Sequence, residues 1–227
     1  MVKSLPSELR VTGEEIYGED ATFELGIIID CTGSMKEWII RAKETLHEII
    51  DKVVEDNKDE GNVTVRLSVV GYRDYTDKNR FMVKPFTDNI DNIKKFINSF
   101  EAGNIGADLV DPPEDVQGAI KLMLMQDWTD EAIKRCVLIC DMHCHGDQYH
   151  SPGIQYHEHY PAGTPFGFSM ESLIKEMISK KISFQYLKLT EYTKIMEQEM
   201  SKIMQEIDIV DIMAIEREAE EEAKREK

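Results

Sequence analysis

Two rhythms of apolar and polar positions alternate along the chain. In the first, apolar residues run almost without interruption for the length of a strand. Leu25, Ile27, Ile28 and Ile29 form one such run, and Cys136, Val137, Leu138, Ile139 and Cys140 another. A half-exposed strand would alternate, so these runs predict strands buried on both faces of a parallel sheet. In the second rhythm, apolar residues recur every three or four places. Trp38, Ile39, Ala42, Leu46, Ile49, Ile50 and Val53 make one stripe, and Ile90, Ile93, Phe96 and Ile97 another, as on helices packed along one side.

Taken in order, the pattern predicts a polar lead-in over 1–20, a strand over 22–30 and a helix opened at Ser34-Met-Lys-Glu37, which has the form of a capping box. A strand over 63–72, a short edge strand over 80–86 that ends at Pro85 or just past it, and a helix capped by Asp88 follow. A helix over 114–126, a strand over 135–140, a long loop over 142–167, a helix over 168–180, a strand over 182–189 and a helix over 191–206 complete the alternation. Residues 207–214 read as a last strand or as more helix, and 215–227 as a charged tail. The division expected is one domain over 21–206, with 1–20 and 207–227 as appendages. Strands alternating with helices imply right-handed crossovers and an α/β fold: a doubly wound, mostly parallel sheet, helices on both faces, one short antiparallel edge strand.

Composition narrows the function. The 227 residues carry a net charge of −17, which excludes a nucleic-acid surface and an anionic membrane surface as partners. No apolar run approaches the ~20 residues of a membrane span, and the first residues lack the apolar core of a signal peptide, so the expectation is a cytoplasmic protein. The four cysteines, Cys31, Cys136, Cys140 and Cys144, are expected to be free thiols.

Candidate chemistry sits where strands end. Asp30, Thr32 and Ser34 alternate just past the first apolar strand, and Asp141 follows the second. In parallel sheets, ligands bind beyond the carboxyl ends of the strands. Short oxygen side chains at every second position suit a hard cation such as magnesium, with manganese or calcium as alternatives. Separately, His143, Cys144, His145, His150, His157 and His159 crowd the loop 142–159, where a zinc-type site competes with polar loop packing.

The segments Asp30-Cys-Thr-Gly-Ser-Met35, Val70-Gly-Tyr-Arg-Asp74, Asp111-Pro-Pro-Glu-Asp-Val116 and Asp141-Met-His-Cys-His-Gly146 occur in this order. Together they resemble von Willebrand factor A domains carrying a metal-ion-dependent adhesion site, in particular those associated with alpha-type protein kinases. The resemblance implies a Rossmann-like fold and one divalent cation, usually magnesium. Thr32 and Ser34 would be direct ligands, Asp30 and Asp141 would hold waters on the metal, and Asp111 would stand where other A domains place Thr. Asp108 is a rival for that role. The resemblance further implies a non-enzymatic module in kinase-linked signalling, whose protein partner completes the metal shell with an acidic side chain. Arg73, Asp74, His143 and His145 would form the rim of that partner surface. The competing reading is a metal-dependent hydrolase or phosphatase using Asp30 or the loop 142–159. A phosphatase of that type wants a second Asp where Thr32 stands.

Overall fold

The computed structural model describes residues 21–56, 63–103, 111–150, 157–204 and 208–211. Six strands form one sheet: β1 (Thr22–Asp30), β2 (Thr64–Tyr72), β3 (Phe81–Thr87), β4 (Ile133–Cys140), β5 (Ile182–Lys188) and β6 (Asp208–Asp211), in the spatial order β3-β2-β1-β4-β5-β6. All neighbours are parallel except β2 and β3, which are antiparallel. This is the Rossmann-like α/β architecture expected from the sequence, with its antiparallel strand at the edge. Pro85 lies in that edge strand, opposite a register irregularity between Leu67 and Val69, where a missing amide costs least.

The helices are α1 (Ile39–Asp56), α2 (Ile90–Asn98), α3 (Val116–Leu124), α4 (Met170–Ser179) and α5 (Lys194–Ile203). The side chains of β1 divide between two cores. Leu25, Ile27 and Ile29 pack with Leu46, Ile49 and Ile50 of α1 and with Ile93 and Ile97 of α2. Ile28 faces the other way, toward Ala119, Ile120 and Met123 of α3, Ile174 of α4 and Met200 of α5. Burial on both faces explains the unbroken apolar run. Each such side chain contributes about 1.5–3 kcal/mol relative to exposure.

Two local expectations are corrected, and one open alternative is decided. Ser34 does not cap α1; residues Ser34–Glu37 form a 3-10 turn without a side-chain cap, and the α-helix begins at Ile39. The cap of α2 is Asn89, not Asp88: its side chain accepts the Asn92 amide at 3.0 Å. Residues 208–211 are a strand, paired in parallel with β5, rather than more helix. The lead-in 1–20, the tail 215–227 and Asp108 lie outside the described residues.

The strand order changes direction between β1 and β4, because β2 and β3 lie to one side and β4, β5 and β6 to the other. The carboxyl ends of β1 and β4 therefore flank the crevice where this architecture places ligands.

Candidate metal centre

Asp30 ends β1 and Asp141 directly follows β4, so the sheet itself brings the two carboxylates together. The Thr32 amide donates to Asp30 Oδ1 at 2.8 Å, which curls the chain back over the strand end. Thr32 Oγ1 and Ser34 Oγ are then 3.0 Å apart, and Ser34 Oγ donates to Asp141 Oδ1 at 3.1 Å. The Thr32 hydroxyl also hydrogen-bonds the Asp30 carboxyl, so it lies between Ser34 and Asp30. Asp30, Thr32 and Asp141 are buried and Ser34 is exposed, so the group opens to solvent on the Ser34 side. The residues Asp30, Thr32, Ser34 and Asp141 thus converge as one cluster of oxygens.

The cluster is acidic, with no paired cation among the described residues. Burial pushes the Asp30 carboxyl well above the usual carboxylate range, and the neighbouring Asp141 raises it further. Burial also raises Asp141, partly offset by the Ser34 hydroxyl. Tyr72 OH donates to Asp30 Oδ2 at 3.4 Å. No lysine or arginine of the described residues is paired with either aspartate.

A third carboxylate, Glu114, belongs to this neighbourhood. Its amide donates to the His143 carbonyl at 3.0 Å, forming an isolated bridge between residues 114 and 144 that anchors it beside the end of β4. Burial raises its carboxyl strongly, and the charges of Asp30, Asp74 and Asp141 add to the effect. Its Oε2 is buried without a hydrogen-bond partner. An orphaned acceptor among buried carboxylates fits a bound cation, since a divalent ion would satisfy what no protein donor does. Position alone, at the head of the helix expected over 114–126, would make Glu114 a helix-start charge. That description fits its neighbour Asp115, whose side chain accepts the Gly118 amide at 2.9 Å and pairs with Arg80.

Asp111 joins a different group. Its Oδ2 accepts the His159 amide at 3.0 Å, and its Oδ1 lies 2.9 Å from His159 Nδ1. His145 stands at the centre of this second group. Nε2 meets Asp74 Oδ1 at 2.7 Å, Nδ1 meets Glu158 Oε1 at 2.8 Å, and Asp111 Oδ2 is 3.7 Å from Nδ1. Burial alone would depress the imidazole, but Asp74 and Glu158 outweigh it and hold its pKa up at about 9. Burial opposes ionisation of Glu158, yet hydrogen bonds from His145, from the Tyr160 and Gly146 amides and from His150 bring it down to about 2. Tyr75 stacks on the His145 ring at 4.8 Å between centroids.

Of the residues expected at the rim, Arg73 is half-buried and the other three are enclosed. His143 and His145 are fully buried and Asp74 is 8% exposed, so they underpin loops rather than present a contact surface. His143 Nδ1 donates to the Cys144 carbonyl at 2.9 Å, and burial lowers its pKa. Arg73 binds three backbone carbonyls, Cys31 at 3.0 Å, Lys78 at 2.9 Å and Glu101 at 2.9 Å, tying neighbouring loops around the cluster. All four cysteines are free and buried.

No protein-family model matches the chain. It is similar to the alpha-protein kinase vwkA of Dictyostelium discoideum, at 27% identity over 180 residues. The match covers 79% of this chain and 27% of that protein, so the chain spans about a quarter of its relative's length. No helix of the described residues is long and apolar enough to cross a membrane.

Proposed function

We propose that this chain is a non-enzymatic interaction module of the von Willebrand factor A type, which captures a protein partner through a divalent cation at the tip of β1 and β4. The observation that carries the reading is the meeting of the Thr32 and Ser34 hydroxyls with each other and with Asp141, at 3.0 and 3.1 Å, beside three buried carboxylates. Thr32 and Ser34 would hold the ion directly, and Asp30, Asp141 and Glu114 would supply negative charge and orient its waters. A small oxygen-binding ion that retains waters suits this donor set, which favours magnesium. The cation's role is to offer a Lewis-acidic position to an acidic side chain of the partner.

The similarity to an alpha-protein kinase supports a place in kinase-linked signalling. Burial also favours binding over catalysis. Asp30 has no exposed surface, and the Thr32 amide and the Tyr72 hydroxyl already engage its oxygens, whereas a carboxylate nucleophile must reach its substrate.

The test is affinity capture from cell extract with magnesium, with EDTA, and with Asp30→Ala in magnesium. A partner recovered only by the wild-type protein in magnesium supports metal-dependent recognition. Equal recovery in all arms moves the interface elsewhere. Phosphate release from a generic phosphomonoester that disappears in Asp30→Ala would replace the reading with an enzymatic one.

A further inference from the structure

We propose that the His145 group is a second metal site, for a transition ion of the zinc class, separate from the oxygen cluster at Asp30. Asp111, His145 and Glu158 each offer one ligand atom, and the three atoms lie within 4.8 Å of one another. A tetrahedral zinc site with bonds near 2.1 Å sets its ligand atoms roughly 3.4 Å apart. The distances from His145 Nδ1, 2.8 Å to Glu158 Oε1 and 3.7 Å to Asp111 Oδ2, bracket that spacing. An imidazole among the donors selects zinc-class ions over magnesium.

The surroundings have the form that orients metal ligands. An imidazole bound to metal through one nitrogen ordinarily gives its other N–H to a carboxylate. Here Nε2 meets Asp74 at 2.7 Å. The candidate carboxylates are held as well. Glu158 Oε2 accepts the Gly146 amide at 3.1 Å and lies 3.1 Å from His150 Nε2. Glu158 Oε1 accepts the Tyr160 amide at 2.7 Å, and the His159 amide and ring hold Asp111. The site is almost closed: the His145 side chain is 0% exposed, Asp111 2% and Glu158 4%. Its donors come from residue 111 before α3 and from the two ends of the loop after β4, so an ion would tie these segments together. Asp111 therefore serves the second site, and the two sites are distinguished by donor chemistry, oxygen at one and mixed nitrogen and oxygen at the other.

The experiment uses the full chain without a histidine tag, equilibrated with zinc, passed over chelating resin and assayed by plasma mass spectrometry. About one zinc per chain is expected in the wild-type protein and in Asp30→Ala. Glu158→Gln should lose the bound zinc, and Asp74→Asn should weaken it by about ten- to a hundredfold. Zinc K-edge absorption of the wild-type protein supplies a readout that needs no variant, with imidazole and oxygen scattering expected. Three results would overturn the site: a folded wild-type chain that binds no zinc, zinc lost in Asp30→Ala but kept in Glu158→Gln, and sulfur in the zinc shell, which would implicate Cys144.

Discussion

Glu114 and Asp115 are neighbours in sequence with opposite surroundings. Asp115 has an amide and a guanidinium; Glu114 has buried carboxylates around it and an oxygen with no partner. Leaving a buried acceptor unpaired costs about 1–3 kcal/mol, and a cation at the Asp30 cluster removes that cost. If Glu114 serves the ion, Glu114→Gln lowers magnesium affinity by about ten- to a hundredfold, the range for residues that orient metal ligands. Asp111→Asn, which alters only the His145 group, leaves magnesium affinity within about twofold. Isothermal titration of the two variants decides. Equal weakening by both would restore Asp111 to the first site, as the sequence suggested, and no change in Glu114→Gln would remove Glu114 from it.

At the scale of elements, the same local signal leads to different outcomes. Ser34 with Glu37 satisfies the capping-box pattern, yet tertiary structure takes the hydroxyl for Asp141, 107 residues away in sequence, and the first turn becomes 3-10. Local sequence could place Ser34 at a helix start but not reveal the competitor for its hydroxyl. The strands were legible because burial on both faces writes itself as an unbroken apolar run. Pairing across elements was not: nothing near His145 in sequence indicates that Asp74, 71 residues earlier, would meet its ring. Helix α3 offers a test of packing against propensity. Replacing glycine by alanine inside a helix normally gains up to ~1 kcal/mol. At Gly118, an added Cβ would meet the Asp115 carboxyl oxygens at 2.3 and 2.6 Å. That carboxyl cannot swing aside freely, because the Gly118 amide and Arg80 hold it and Arg80 lies 4.2 Å over the Tyr75 ring. Gly118→Ala is therefore expected to destabilise by about 1–3 kcal/mol, the usual range for overpacking. Chemical denaturation measures the sign directly, and a stabilised variant would show that the Asp115–Arg80 pair yields easily.

For the whole molecule, the charge balance matters in two ways that can be separated. A net charge of −17 gives general self-repulsion, which any salt screens. The Asp30, Asp141 and Glu114 carboxylates add a local strain that screening does not reach, because they are buried beside one another. Sodium chloride should therefore raise the thermal midpoint of the metal-free protein gradually. Magnesium at matched ionic strength should raise it further and saturate. At a hundred times its dissociation constant, a single-site ligand stabilises by about 2.7 kcal/mol. For a domain of this size that corresponds to about 5–11 °C. Asp30→Asn separates the two effects. The amide still accepts the Thr32 N–H, so the turn can persist, but one buried charge is gone. The variant is expected to be more stable than wild type in EDTA, by about 1 kcal/mol or more, and to lose the magnesium increment while keeping the sodium response. Such a balance, in which the residues that bind the ion weaken the empty fold, is what a built cation site predicts. If magnesium stabilises Asp30→Asn as much as wild type, the ion acts only by screening and the cluster at the end of β1 is not its site.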